Sequence, residues 1–529
     1  MASEIELAII KVLKQEERSF GHTAMSENRL LTKLPSEIES SHESLREQIQ
    51  SCESISSRVT GTGSILWSTN QSQLLETQLI EQIERIIKSF LSKSRKKILK
   101  SDLRLGKSVS PSYEQLAAVN ASVRSGVSII TGGPGTGKTT MIRALVFALK
   151  GLKLNIKLCA PTGKAAKRMG EATGLQKFKP ETVHKYLQSH SQSENNNFNV
   201  MIVDEASMID VSLLHSLLAS IPDGAQLILI GDKDQLPPVK PGQPFRDFIK
   251  SINTEPKNLV KNTKSKVGVS GIVSAAYAVI NGVEPDSDLT LEEDNFQFID
   301  CENEEITDQV LEYYFTKMPM LFEKSFDEIV NEMQILVPQR SGSSGLTRLN
   351  VEIQKKLTRI GEPLFKGEGK RQQEFFANDR VMQVKNDYEI NVMNGEIGKV
   401  ISKVPEGIKI LIDNKEVTYN DEQLENIELA YAISIHKSQG SEYSGVIIPI
   451  TSEHSFILNR NLVYTAITRG KSKVCLIGER STFKSTVKND FKGLRNTGLV
   501  FEIQRKNLDK KISLTRLTEI YRQKKILDK

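Results

Sequence analysis

From Pro111 to about Ile252 the chain alternates short apolar runs with amphipathic, helix-forming segments, and this alternation constrains its fold more than any other feature. The runs are Val127–Thr131, Ile156–Ala160, Val200–Val203 and Gln226–Ile230. Runs this short, continuous rather than alternating in polarity, need cover on both faces; a parallel sheet between two layers of helices supplies it. The predicted fold class is therefore α/β. A second alternating region extends from Leu259 to Gly478. Inside it, Phe375 to Glu428 holds β-type runs (Arg380–Val384, Ile397–Val400, Ile408–Ile412) with turn residues between them, which predicts a small β-barrel insert.

The first apolar run leads into Gly132-Gly133-Pro134-Gly135-Thr136-Gly137-Lys138-Thr139, the pattern G-x-x-x-x-G-K-[ST], and a helical stretch, Met141–Leu149, follows. The glycines let backbone N–H groups converge on phosphates at a helix N-terminus, where the dipole favours negative charge. Lys138 is predicted to reach the β- and γ-phosphates and the Thr139 hydroxyl to ligate Mg²⁺, with Gly133, Gly135, Thr136, Gly137 and Thr140 completing a cradle for ATP. The run Val200–Val203 ends in Asp204-Glu205. A carboxylate at a strand end beside such a loop holds the metal, and its neighbour polarises the attacking water as general base. Asp204 and Glu205 are assigned those roles. Gln235, shortly after the run Leu227–Ile230, is predicted to sense the γ-phosphate through its amide. Far downstream, Arg469 precedes the apolar run Val474–Ile477 and is the residue type that stabilises charge on a transferring phosphoryl group.

Composition narrows the class. The 529 residues predict about three or four domains at roughly 150 residues each. Lys+Arg 71 against Asp+Glu 65 leaves +6, which permits a phosphate-bearing partner and excludes a histone-like or polyacidic chain. No apolar run approaches the roughly 18 residues of a membrane span. The opening Met1-Ala-Ser-Glu-Ile-Glu lacks the basic-then-apolar order of a secretory signal, so a cytoplasmic location is expected. Cys52, Cys159, Cys301 and Cys475 form no Cys-x-x-Cys pair, which argues against a zinc ribbon or an iron–sulfur cluster. Cys159 and Cys475, set in apolar stretches, read as small buried thiols. The basic stretch Lys93–Lys100 reads as a solvated linker helix. No carboxylate set beyond the ATP site suggests a nuclease.

Taken together, these residues resemble superfamily 1 helicases of the RecD type, from about Ser110 to Leu499. Tyr113-Glu-Gln115 resembles the glutamine motif that reads adenine. Ala160-Pro161-Thr162-Gly-Lys164-Ala-Ala-Lys167-Arg168 and Thr182-Val-His184 resemble the motifs that grip the DNA strand. Tyr431 to Glu442, with His436, Ser438 and Gly440, resembles motif V, and the Arg469 segment resembles motif VI. The resemblance implies two RecA-like parallel-sheet motor domains, with ATP between them and Arg469 supplied by the second. It adds Gln115, Gly440 and Glu442 to the nucleotide contacts. It assigns Pro161, Thr162, Lys164, Lys167, Thr182, His184, His436 and Ser438 to DNA, and implies 5′-to-3′ translocation on single strands.

Domain boundaries follow: a mainly helical N-terminal domain at 1–107, with a winged-helix-like form left open; a first motor domain at 108–255, with a vestigial subdomain near 187–198; a second at 256–374 and 429–500; an SH3-like insert at 375–428; and a C-terminal tail at 501–529. Independently of the resemblance, Lys164, Lys167 and Arg168 stand at i, i+3 and i+4, which predicts one phosphate-facing helix face. Aromatic content of 6% with a single Trp, Trp67, favours backbone contact over base stacking.

Three segments depart from the family pattern. Lys264, in Leu259-Val-Lys-Asn-Thr-Lys264, stands where the family has the Arg of motif IV. Leu517 to Gln523 reads as an amphipathic helix end, with Arg522 substituting for that Arg as the lesser alternative. Leu187–Phe198 is short and polar where relatives carry a strand-splitting hairpin, so translocation is expected more firmly than unaided unwinding. Ser19-Phe-Gly-His22 and Ser64-Ile-Leu-Trp67 resemble the domain preceding the motor. The short front end favours a subunit working at DNA ends beside RecB- and RecC-like chains, as in exonuclease V. A standalone helicase and a DNA-stimulated ATPase or structural subunit are the alternatives.

Overall fold

The computed structural model describes residues 4–34, 52–60, 63–90, 97–99, 111–174, 179–190, 197–252, 271–286, 290–291, 293–357, 362–367, 373–490 and 495–518. They divide into two compact units, one of Met1–Pro161, Ala165–Lys261 and Lys492–Lys524, the other of Thr162–Lys164, Asn262–Phe491 and Lys525–Lys529.

In the first unit, β1 (Met25–Ser26), β2 (Ile55–Val59) and β3 (Ile65–Thr69) make an antiparallel sheet in the order β1-β3-β2. Helix α1 (Asn70–Ser89) follows, with the Thr69 side chain capping its first turn by accepting from the Ser72 amide. Its inward stripe is Leu79, Ile80, Ile83 and Ile86, all buried, while Leu74 is exposed. That stripe belongs to the same core as Leu214, Leu217 and Phe248. Next come α2 (Tyr113–Val123), β4 (Val127–Gly132), α3 (Lys138–Gly151), β5 (Ile156–Ala160), α4 (Gly163–Thr173), β6 (Glu181–Thr182), β7 (Val200–Val203), β8 (Gln226–Gly231) and α5 (Pro244–Ser251).

Every residue of β4, β7 and β8 is buried, as continuous apolar strands between two helix layers must be. The parallel sheet has six strands. Its order is Ser513–Leu517, β4, β8, β7, β5, β6, so the last strand among the described residues lies beside the first strand of the motor domain. Residues 501–518 thus pack into the first unit rather than forming a detached tail. Helix α6 (Leu499–Arg505) packs Leu499 and Ile503 into the first unit's core, and Leu517, expected in a helix end, closes a strand.

The second unit contains β9 (Phe296–Asp300), β10 (Met333–Val337), the pair β11 (Phe365–Lys366) and β12 (Glu374–Phe375), then β13 (Arg380–Gln383), β14 (Ile397–Val404), β15 (Gly407–Ile412), β16 (Lys415–Tyr419), β17 (Ile427–Leu429), β18 (Ala432–Ser434), β19 (Tyr443–Ile450) and β20 (Gly470–Gly478). A five-stranded parallel sheet runs β18-β10-β19-β20-β9. The SH3-like insert is an antiparallel sheet ordered β16-β15-β14-β13-β17, with a register shift between Val400 and Ser402 that bends β14. Val381, Val400, Ile410 and Tyr419 of the insert share one core with Ile335 and Ile447 of the parallel sheet.

Residues Lys97–Leu99, the described end of the basic stretch, are not helical. Ile98 is buried and pairs with the Asn120 side chain through both its N–H (2.9 Å) and its carbonyl (3.0 Å). Lys264 and its motif, Arg522, and residues 191–196 of the shortened subdomain lie outside the described residues. Among the described residues no helix is long and apolar enough to cross a membrane.

Candidate functional site

The phosphate loop joins β4 to α3. Gly135 (φ +75°) and Gly137 (φ +76°) take left-handed backbone that a side chain resists, and Gly137 is the N-cap of α3. The Lys138 ammonium folds over the loop, donating to the carbonyls of Gly132 (2.6 Å) and Gly133 (3.2 Å), while the Thr136 hydroxyl donates to Gly133 (2.9 Å). Thr139 and Thr140 follow on the first turn of α3. Gln115 is buried at the start of α2, where its amide oxygen accepts from the Ser112 N–H in a capping box. Its amide nitrogen donates to the Gly137 carbonyl (3.3 Å), so the glutamine is tied to the loop itself.

Parallel register sets the rest of the site. Thr131 of β4 pairs with Gly231 of β8, and Val203 of β7 with Leu229, so these strands end at one edge and deliver Gly132, Asp204 and Asp232 to it. Asp204 is buried and accepts from the Glu205 N–H (2.9 Å). Burial first, and then the Glu205 charge, push its carboxyl up to about 6 against the opposing pull of Arg168 and Lys138. Glu205 is 2% exposed and sits at φ +51°, a left-handed position that costs a residue with a side chain free energy. Its Oε1 accepts from Arg168 Nη2 (3.1 Å). Glu205 Oε2 and Gln235 Oε1 are buried without a protein partner among the described residues, acceptors of the kind a water or substrate satisfies. The Thr139 hydroxyl and the Asp204 carboxylate are hard oxygen donors suited to Mg²⁺ that keeps waters and phosphate oxygens as its other ligands, so the residues fit that ion.

The residues assigned to DNA in this region cluster at the ends of β5 and β6. Ala160 pairs with Thr182, which sets Pro161 level with Val183. Lys164 and Lys167 follow on α4, and His184 is exposed. The Thr182 hydroxyl accepts from the Lys185 N–H (3.1 Å), capping the helix Val183–His190. Arg168 departs from the expected basic face: it turns from Lys167 to the Glu205 carboxylate. Arg168 stands about 40° from Lys164 around the helix and about 100° from Lys167, so it is the reach of its long side chain to a buried carboxylate, not the spacing, that takes it off the basic face.

In the second unit, Arg469 lies between the helix Arg460–Ile467 and β20 and is 3% exposed. Its guanidinium donates to the carbonyls of Thr465 (3.1 Å) and Ser441 (3.2 Å) and to the Thr468 hydroxyl (3.1 Å). The bond to Ser441 ties it to the turn containing Gly440 (φ +75°), and Glu442 pairs with Lys471 at 3.8 Å. His436 is exposed on the turn His436–Ser438, whereas Ser438 is buried with its hydroxyl donating to Ile435 (2.7 Å).

Sequence reasoning missed the residues that buttress the loop after Gln235. The Arg495 guanidinium donates to the carbonyls of Gly242 (2.8 Å), Lys240 and Pro238. The Gly242 N–H in turn donates to Gly21 (2.9 Å), and His22 Nδ1 accepts from the Asn496 N–H (2.9 Å). Burial, then Arg29, lower the His22 imidazole to about 4, leaving it neutral and able to accept. The Asp247 carboxyl, buried on α5, accepts from the Thr497 hydroxyl (2.9 Å). These partners come from opposite ends of the chain and leave no local pattern to read.

Family models match three stretches: an AAA domain over residues 110–291, an ATP-dependent RecD-like DNA helicase SH3 domain over 349–414, and a UvrD-like helicase C-terminal domain over 429–477. An ATP-dependent RecD2 DNA helicase of Deinococcus radiodurans is 32% identical over 411 residues, covering 74% of this chain and 52% of its own length. The chain thus spans about half of that relative. The RecBCD enzyme subunit RecD of Mycolicibacterium smegmatis is 28% identical, with 73% of this chain and 74% of the relative covered. That of Haemophilus influenzae is also 28% identical, with 73% and 72% covered. With a phosphate loop, an acidic strand end and an SH3-like insert between the strands of a second parallel sheet, the chain belongs to the RecD-type family of superfamily 1 ATP-dependent DNA helicases.

Proposed function

We propose that this chain hydrolyses ATP to move 5′ to 3′ along single-stranded DNA, acting at DNA ends in double-strand break repair and recombination. The observation that carries the reading is the convergence, at one sheet edge, of Lys138, the Asp204–Glu205 pair and the strand leading to Gln235. Water attacks the γ-phosphorus, the bond from that phosphorus to the β–γ bridging oxygen breaks toward ADP, and Glu205 takes the water's proton. Lys138 and Arg469 stabilise the charge that spreads over the transferred group. Thr139 and Asp204 would hold Mg²⁺, which would supply charge neutralisation on the phosphate oxygens. Pro161, Thr162, Lys164, Lys167, Thr182 and His184, with His436 of the second unit, serve the DNA strand, while Ser438, buried and bonded to the Ile435 carbonyl, holds the turn that carries His436.

The Mycolicibacterium and Haemophilus relatives, both RecBCD enzyme subunits RecD, favour assembly with RecB- and RecC-like chains. The Deinococcus relative favours the second reading, a standalone helicase.

Steady-state ATP hydrolysis tests the proposal. Single-stranded DNA is expected to stimulate turnover, and Lys138→Ala to lower it by about 10²-fold or more. Equal rates with and without DNA would remove the motor.

A further inference from the structure

Helix α4 carries two kinds of basic residue. Lys164 and Lys167 are the DNA-strand lysines of the reading above, on which this inference rests, and Lys167 is exposed. Arg168, the next residue, reaches the buried Glu205 carboxylate at 3.1 Å in an ion pair whose side chains are 26% and 2% exposed. Glu205 has little freedom to answer for itself. Its backbone is held left-handed at the end of β7, and only one carboxylate oxygen has a protein partner among the described residues. The direction of the carboxylate that accepts the water's proton is therefore set by a guanidinium from the helix that meets the strand. A charge-assisted bond of this kind, with its carboxylate end buried, is strong enough to fix which way the group faces.

We infer that Arg168 is the positioning residue through which occupation of α4 by single-stranded DNA controls hydrolysis. Without a strand, Arg168 retains Glu205. When backbone phosphates engage Lys164 and Lys167, the shift of α4 draws Arg168 off and frees the carboxylate for water. No bond to substrate is made by Arg168 at any stage.

The test is ATP turnover by the full chain with and without an oligothymidine, for wild type, Arg168→Met and Arg168→Lys, with affinity for a fluorescent ATP analogue measured alongside. Arg168→Met is expected to raise the DNA-free kcat about tenfold or more and to shrink the DNA-stimulation ratio by the same factor, leaving nucleotide KM within about twofold. Arg168→Lys, which keeps charge but loses the planar fork, is expected to fall between. A stimulation ratio unchanged in Arg168→Met, or DNA-free and DNA-bound rates that fall in parallel, overturns the proposal. If Arg168→Met no longer binds the analogue, a wild-type ratio in Arg168→Lys overturns it instead. Wild-type turnover indifferent to DNA would refute the motor reading itself, an outcome visible before any variant is compared.

Discussion

Arg469 shows how a residue's surroundings decide what its loss does. Its guanidinium is buried and bonded to Ser441, Thr465 and Thr468, so truncation removes local bonds as well as charge. Arg469→Lys keeps the charge without the planar fork, and its kcat for ATP is expected to fall by about 10³-fold or more while affinity for the nucleotide analogue is retained. A kcat within about tenfold of wild type would deny Arg469 its role. Asp247 provides a pH dependence. Burial pushes its carboxyl up to about 7 from 3.8, so between those values the folded chain binds more protons than the unfolded one. Stability from this group is complete below pH 3.8 and is lost as pH rises through about 7. Urea midpoints for Asp247→Asn are therefore expected to decline less than wild type's between pH 5 and pH 8 (about the span in which Asp247 ionises). Identical declines would show that Asp247 does not titrate in this range. Residues of the phosphate loop were legible because their pattern is local. The bond from Arg168 to Glu205 was not, because spacing on a helix fixes angles and says nothing of which buried carboxylate stands opposite.

Elements were legible where burial was two-sided. Ile156–Ala160 and Val200–Val203 are strands with the bounds read from the sequence, since a continuous apolar run leaves few alternatives. The final strand escaped notice. Ser513–Leu517 sets polar Thr515 and Arg516 side by side and is mostly half-buried, and its partner β4 lies far back in the chain. Yet Leu517 pairs with Gly132 at the entrance to the phosphate loop and is itself 3% exposed. Leu517→Ala is expected to cost about 2–5 kcal/mol of the first unit's unfolding free energy, read by denaturant titration. A loss below about 0.5 kcal/mol would mean that the strand is dispensable to the sheet.

At the scale of the molecule, the chain leaves the first unit after Lys261 and returns at Lys492. The return is fastened at once: Arg495 to the loop after Gln235, Asn496 to His22, Thr497 to Asp247. The N-terminal residues Gly21 and His22 are thereby joined to the loop that follows Gln235, a link no motif announced. Purification from the native host is expected to bring two larger chains with this one if it works as a RecD subunit, and none if it works alone. Movement along DNA is the claim on which the rest depends, and release of streptavidin from end-biotinylated single strands measures it without requiring strand separation. With ATP, the chain is expected to displace streptavidin from the 3′ end and not from the 5′ end, and Lys138→Ala to displace it from neither. Release from the 5′ end alone, or release by Lys138→Ala at the wild-type rate, would contradict the account.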